Sequence, residues 1–162
     1  MDPVQKKFLD QRFKEWYVPG WKKLLKLLQS HGGLMLVPQP ETPHDVTELL
    51  QHGRIFPTTG LKLRRGEPSG CHRNAAQLWA KHENLSVVTG YALSRDLWRQ
   101  HSWLWDNKRE RIMETTVQFE MYFGRVLAEV DLLRFILGND RTLVDAPTKR
   151  LLYEINKNRI GG

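Results

Sequence analysis

The sequence lacks the features that mark disulfide-rich, secreted or membrane-spanning proteins. Its 162 residues contain one cysteine, Cys71, which excludes an intramolecular disulfide and fits a reducing compartment. No apolar run approaches the roughly 20 residues that span a bilayer. The N-terminal segment also has no apolar core of the kind found in secretory signals. We therefore expect a cytoplasmic protein, or one secreted without a cleaved signal peptide, with no membrane partner.

Short motifs for metal ions and nucleotides are missing as well. The residues Cys71, His72, His82 and His101 include no CxxC or HxxxH pair, and such pairs are typical of zinc sites. No glycine-rich loop of the Walker or dinucleotide-binding type is present. We expect neither a metal ion nor another cofactor.

The composition that remains is that of a globular, basic protein. Apolar residues make up 40% of the chain and aromatic residues 10%, enough for one domain with its own core. The formal net charge is +7. The densest basic groups are Lys22, Lys23 and Lys26, then Arg64 and Arg65, then Lys108, Arg109 and Arg111. Because these groups are scattered, a solvated basic surface is favoured over a nucleic-acid interface.

Helical spacing of apolar residues predicts three helices in the first 52 residues. The first covers residues 3–17, and the second, "WKKLLKLLQSH", sets an apolar stripe against a lysine-rich face. The third has Thr42 as its N-cap, Pro43 in its first turn and Gly53 after its end.

The spacing changes in the second half of the chain. A helix is predicted from Cys71, in "CHRNAAQLWAKHE", followed by three consecutive antiparallel strands near residues 85–94, 100–106 and 111–118. Helical spacing returns over residues 125–139, and a last helix is predicted with Asp145 as cap and Pro147 in its first turn. The predicted class is α+β, with the Cys71 helix on an antiparallel sheet and extra helices at both ends.

Cys71 is the first candidate for chemistry because it lies where its helix should begin. The amides and dipole of a helix N-terminus lower the pKa of a thiol and so favour the nucleophilic thiolate. Gly70 would let the chain turn sharply and let a substrate approach the backbone. The amide of Cys71 could then donate to an oxyanion.

A thiol nucleophile also needs a base and an acceptor that orients the base. His101 lies on one predicted strand and Glu114 on the next, and counting from the turn at residues 107–108 puts them roughly opposite each other. Asp106 competes with Glu114, although a polar residue is expected at a turn anyway. His72 is a less favoured base, since adjacent helical residues point about 100° apart.

These segments resemble the papain-like cysteine fold in its transglutaminase-like form. The resemblance rests on "GCHRNAAQLW", "GYAL" and "HSWLWDNKRERIMETT" and covers about residues 60–124. It implies that Cys71 is the nucleophile, His101 the base and Glu114 the third member, and it matches Trp103 to an aromatic residue two positions past the histidine. The third member is usually Asp or Asn in these families, and no upstream glutamine stands out as an oxyanion donor.

Two further residues are candidates for contact with substrate. Asn74 lies one helical turn after Cys71, and Trp98 lies beside Arg95 and Arg99 in a predicted loop before His101. Together with Trp103, they form the predicted substrate-binding set.

The leading interpretation is a cysteine-dependent amide hydrolase, a peptidase or deamidase, or an acyl transferase that works through a thioester. Its partner would be a protein or peptide with a carboxamide or amide bond. We expect a single domain over residues 1–162, with a helical extension at 1–52, a catalytic-type core at 58–124 and C-terminal helices at 125–160. The alternative is a basic, non-enzymatic module for nucleic acid or a protein partner, with Cys71 inert.

Overall fold

The computed structural model describes residues 1–143, which form five α-helices, seven β-strands and a short 3-10 helix. The helices are α1 (Pro3–Glu15), α2 (Trp21–His31), α3 (Pro43–His52), α4 (Cys71–Lys81) and α5 (Glu129–Asn139). The strands are β1 (Met35–Leu36), β2 (Arg54–Phe56), β3 (Lys62–Leu63), β4 (Leu85–Ser94), β5 (Leu97–Asp106), β6 (Arg111–Glu114) and β7 (Met121–Val126). The helix predicted after Asp145 lies outside the described residues.

The strands form one mixed sheet in the order β2-β7-β4-β5-β6-β3, and β1 pairs with β5 outside this path. The β5–β6 pair is antiparallel and matches Leu104 with Met113 and Asp106 with Arg111. The β1–β5 and β3–β6 pairs are parallel, and the β2–β7 pair is antiparallel. The predicted α+β class is confirmed, but the predicted antiparallel sheet is wrong in part, because β1 and β3 join it as parallel strands.

The sheet is larger than the three strands that the sequence predicts. The added strands β1, β2 and β3 contain two or three residues each. The fourth, β7, includes Arg125 and Val126, which were predicted to begin a helix that in fact starts at Glu129. The predicted start of the helix was wrong there. The residues from Leu127 onward do follow helical spacing, but such spacing does not identify the first residue of a helix.

A tight turn joins β4 to β5. Arg95 and Asp96 have φ angles of 48° and 65°, the left-handed pair found in two-residue hairpins. The turn makes β5 begin at Leu97, so Trp98 lies on a strand and not in the predicted loop. Its indole is fully buried, and its Nε1 donates to the Gly32 carbonyl at 2.8 Å.

The chain divides into two compact units. Unit 1 contains residues 1–59, 89–101 and 118–125, and unit 2 contains residues 60–88, 102–117 and those from 126 onward. The prediction of a single domain with a helical extension stays a prediction.

Unit 1 has a core built around α2. The predicted stripe of Trp21, Leu24 and Leu28 is fully buried. It packs with residues of α3, β4, β5 and β7, among them Val46, Leu49, Tyr91, Trp98 and Phe123. The cap predicted for α3 is confirmed, because the Thr42 hydroxyl accepts from the Asp45 amide at 3.1 Å and Gly53 ends the helix.

Unit 2 has a separate core between α4, α5 and its strands. Ala75, Leu78 and Trp79 of α4 pack with Leu132 and Ile136 of α5. Polar bonds join the same helices, since Gln77 Nε2 donates to Asp140 Oδ2 at 2.8 Å and Arg73 Nε lies 3.6 Å from that oxygen. These contacts hold in place the helix that begins with Cys71.

Candidate active site

Cys71 is the first residue of α4, as the sequence predicts, and its side chain is half-buried. The preceding Gly70 provides no side chain to cap the helix, and the first turn contains no acidic residue. The positive end of the helix dipole at this position is therefore not offset by a carboxylate of the first turn.

The loop before Cys71 is held by Asn74. The Asn74 side chain is 6% exposed, accepts from the Glu67 amide at 3.0 Å and donates to the Glu67 carbonyl at 2.8 Å. A Cβ on Gly66 would lie 2.5 Å from the Asn74 carboxamide, so the loop backbone rests directly on that side chain. Asn74 positions the loop before the thiol, and its substrate-binding role stays a prediction.

The turn into α4 does not depend on a left-handed glycine. Gly70 has a φ of −97°, whereas Ser69 has a φ of 59°. The left-handed residue of this turn is Ser69, and the expectation that Gly70 lets a substrate approach the backbone stays a prediction. A Cβ on Gly70 would lie 3.3 Å from Glu67, so close packing on the loop explains the glycine better.

Glu114 ends β6 and is fully buried. Its Oε1 accepts from the amides of Thr115 and Thr116, both at 2.8 Å, and from the Thr116 hydroxyl at 3.0 Å. Three donors on one oxygen stabilise the ionised carboxylate and fix its orientation. Glu114 is therefore not the solvent-facing strand residue that an isolated glutamate would more often be.

Asp106 is the other buried carboxylate of the β5–β6 hairpin, and it serves the turn. Its Oδ1 accepts from Asn84 Nδ2 at 2.9 Å and from the amides of Lys108 and Arg109, both at 3.2 Å. Arg109 and Arg111 pair with its Oδ2. Burial raises the pKa of the Asp106 carboxyl, but the hydrogen bonds from Asn84, Arg109 and Lys108 outweigh burial and hold it below the ordinary value.

His101 lies on β5 and its side chain is 4% exposed. Its ring centroid is 4.6 Å from that of Phe119 and 6.2 Å from that of Tyr122. The imidazole is therefore shielded from water by aromatic rings, and its role as base stays a prediction.

The register of the hairpin corrects one expectation. Leu104 pairs with Met113, so the next position in the same register matches Trp103 with Glu114. His101 lies two residues before Trp103 on β5, so it is offset by two positions from Glu114, which the sequence predicts to lie roughly opposite it. Cys71, Asn74, Trp103 and Glu114 belong to unit 2, whereas His101 and Trp98 belong to unit 1. The meeting of Cys71 with His101 stays a prediction.

His72 makes a contact that the sequence does not predict. Its Nδ1 lies 2.7 Å from the hydroxyl of Ser102, which is fully buried on β5. The His72 ring also packs edge-on against Phe135. These partners hold His72 between α4, β5 and α5, and its lower rank as a base stays a prediction.

The two predicted tryptophans are both core residues. Trp103 is fully buried, as expected for the inward face of β5. Trp98 is also fully buried, so the expectation of an exposed rim residue is wrong. Neither indole presents a surface to a substrate in this conformation.

A cavity of about 160 Å³ lies within unit 2 beside α4. Its lining includes Arg64, Arg65, Lys81 and Thr115 together with Asn74. The sequence pattern singles out the two arginines only as a basic pair. Lys81 and Thr115 carry no sequence signal, because they meet the arginines only in the folded chain.

Comparison with known proteins gives no relative. No family model, no curated protein and no solved structure matches the chain. Among residues 1–143, no helix is both long enough and apolar enough to cross a membrane. The same residues contain no group of three or more His, Cys, Asp or Glu side chains arranged to hold a metal ion.

Proposed function

We propose that the protein is a cysteine-dependent amide hydrolase or acyl transferase in which Cys71 is the nucleophile, His101 the base and Glu114 the residue that orients the base. The fold to which this assignment belongs is the papain-like fold in its transglutaminase-like form. The substrate is a protein or peptide that carries a carboxamide or amide bond.

The observation that carries the proposal is the fully buried Glu114 carboxylate in the unit that also contains Cys71. Burying a carboxylate is costly unless it is paired and hydrogen-bonded. The three donors on Oε1 favour the charged form of the carboxylate and fix its orientation. A fixed, charged acceptor is what a catalytic imidazole requires behind it.

The start of α4 supports the nucleophile assignment. The thiol lies at the positive end of a helix, is half-buried and follows a loop that Asn74 clamps. Such a position favours the thiolate over the thiol. A rigid loop also keeps the sulfur at a constant position relative to a bound carbonyl group.

The proposed reaction has two steps. The Cys71 sulfur attacks the amide carbon, the C–S bond forms, and the C–N bond breaks while His101 returns the thiol proton to the leaving nitrogen. Water then attacks the thioester with His101 as base, releasing a carboxylic acid and the free thiol. If an amine replaces water, the product is a new amide.

Alkylation by iodoacetamide at pH 6 tests the proposal. We expect Cys71 to react in the folded protein and His101→Ala to slow the reaction at least tenfold, because the thiolate loses its imidazolium partner. His72→Ala tests the competing base, and His52→Ala is the matched control, since His52 is exposed at the end of α3. Both of these variants should retain at least half of the wild-type rate.

Two outcomes would contradict the assignment. A thiol that reacts only after denaturation would leave Cys71 as an inert buried residue. An alkylation rate that falls in His72→Ala but not in His101→Ala would identify His72, and not His101, as the base. Circular dichroism spectra of all variants check that the comparison is made between folded proteins.

The competing function is a basic binding module. Lys22, Lys23 and Lys26 are exposed on the outer face of α2, opposite the buried stripe. If this face binds nucleic acid, binding will weaken steeply with added salt and with Lys22→Gln and Lys26→Gln. We expect no saturable binding to duplex or single-stranded DNA at physiological salt.

A further inference from the structure

The cavity beside α4 is lined by positive charge. Arg64 and Arg65 come from the loop after β3, and Lys81 comes from the last turn of α4. Among the described residues, the lining contains no aspartate or glutamate. Like charges brought together repel each other, and an anion between them relieves the repulsion.

No carboxylate in the described part of the chain forms an ion pair with any of the three cations. Arg64 donates from Nη1 to the His82 Nε2 at 2.9 Å, which is a bond to a ring nitrogen. Arg64, Arg65 and Lys81 are all exposed in the described part of the chain.

Thr115 adds an independent sign of a ligand. It lines the cavity and is 1% exposed, and its hydroxyl has no hydrogen-bond partner in the described part of the chain. An unsatisfied buried hydroxyl is unfavourable, and natural structures usually satisfy such groups. A ligand oxygen in the cavity would provide the missing partner.

Hydrogen bonds within the protein hold the wall of the cavity in place. The Arg64 amide donates to the Glu114 carbonyl at 2.8 Å, and the Gly66 amide donates to the Thr115 carbonyl at 2.9 Å. The Asn74 side chain holds the next loop residue, Glu67, by two further bonds. The loop that carries both arginines is therefore fixed against β6 and α4.

We propose that this cavity binds an oxyanion group, a carboxylate or a phosphate, with Arg64, Arg65 and Lys81 neutralising its charge and the Thr115 hydroxyl donating to one of its oxygens. A volume of about 160 Å³ suits a single such group and not a nucleic-acid backbone. If the proposed function holds, the oxyanion group belongs to the substrate. Cys71, Asn74 and Lys81 are separated along α4 by three and then seven residues, so they share one face of the helix.

The test is a titration of the full chain, monitored by NMR through the backbone amide resonances of Gly66 and Thr115. Inorganic phosphate and succinate are added separately at constant ionic strength, and the tighter of the two identifies the group. We expect saturable shifts with at least one of them. Arg65→Gln and Lys81→Gln should each weaken binding roughly tenfold, since each removes a charge-assisted hydrogen bond.

Two variants make the result specific. Thr115→Val removes the hydroxyl at nearly constant volume, so it should weaken binding while leaving the melting temperature of the ligand-free protein unchanged or higher. Lys23→Gln removes an exposed charge of unit 1 and should leave binding unchanged. A lowered melting temperature in Thr115→Val would show that the hydroxyl already has a partner and would overturn the proposal.

The remaining outcomes are equally decisive. The proposal is wrong if neither anion gives a saturable shift, or if Lys23→Gln weakens binding as much as Lys81→Gln. The titration is repeated with Cys71→Ser, which abolishes thiol chemistry. Binding retained in Cys71→Ser supports the anion site even if Cys71 proves unreactive, so the two proposals fail separately.

Discussion

The β5–β6 hairpin contains two fully buried carboxylates with different surroundings. Asp106 receives a side-chain amide, two backbone amides and two arginines, which together tie the turn to β5. Glu114 accepts at Oε1 from the amides of Thr115 and Thr116 and from the Thr116 hydroxyl. The two carboxylates are equally buried, so burial alone assigns a role to neither, and the catalytic role of Glu114 stays a proposal.

The difference suggests how to separate stability from chemistry. Removing Asp106 should unfold the turn without changing thiol reactivity. Replacing Glu114 by an amide should change reactivity with little effect on stability. The expected loss of stability is largest for Asp106→Ala and smallest for Glu114→Gln.

Asp106→Ala has the largest expected effect. It leaves the Asn84 amide and two backbone amides without their acceptor, and each lost bond costs roughly 1 kcal/mol. We expect the free energy of unfolding to fall by about 3 kcal/mol in urea titrations. A loss smaller than about 1 kcal/mol would show that water replaces these bonds and that Asp106 does not have the structural role assigned to it.

Asn74→Ala should have the next largest effect. The Asn74 carboxamide makes two bonds to the Glu67 backbone, and its loss frees the loop before Cys71. We expect a decrease of about 2 kcal/mol in the free energy of unfolding, together with faster hydrogen exchange at the Glu67 amide. Unchanged exchange at that amide would contradict the clamp.

Asp140 provides a third carboxylate for comparison, with a pH dependence. Hydrogen bonds from Thr142 and Gln77 lower the pKa of Asp140 from 3.8 to about 2. A lowered folded-state pKa stabilises the protein above the unfolded-state value, and this stabilisation is lost as pH falls from about 4 towards 2. The melting temperature of Asp140→Asn should be below wild type at pH 7, and the gap should narrow by pH 2. A difference in melting temperature that stays constant across this pH range would show that Asp140 does not contribute to the loss of stability in acid.

Glu114→Gln should change stability least. The glutamine oxygen can accept the same three bonds from Thr115 and Thr116. We expect a change within about 1 kcal/mol in urea titrations. A much larger loss would make Glu114 structural, in the manner of Asp106.

Local patterns in the sequence predict a large part of this fold. Thr42, Pro43 and Gly53 specify both ends of α3, and the stripe of Trp21, Leu24 and Leu28 specifies the buried face of α2. These signals depend only on neighbouring residues. The strand pairs that join distant segments, β1 with β5 and β3 with β6, involve two residues each and give no periodic signal.

The errors have the same physical origin. The β4–β5 turn uses Arg95 and Asp96 in left-handed conformations without a glycine, so Trp98 was assigned to a loop. The register of β5 against β6 is set by the length of the turn, which the sequence does not specify to within two residues. The unsatisfied hydroxyl of Thr115 is a property of its tertiary surroundings and could not be predicted from residue type.

The most direct test of the central claim is the rate of Cys71 alkylation by iodoacetamide at pH 6 in Glu114→Gln, with Asp106→Asn as the matched carboxylate control. If Glu114 orients the catalytic base, the rate in Glu114→Gln falls at least tenfold, while folded Asp106→Asn reacts like wild type. An unchanged rate in Glu114→Gln, or equal losses in both variants, would contradict the catalytic assignment of Glu114.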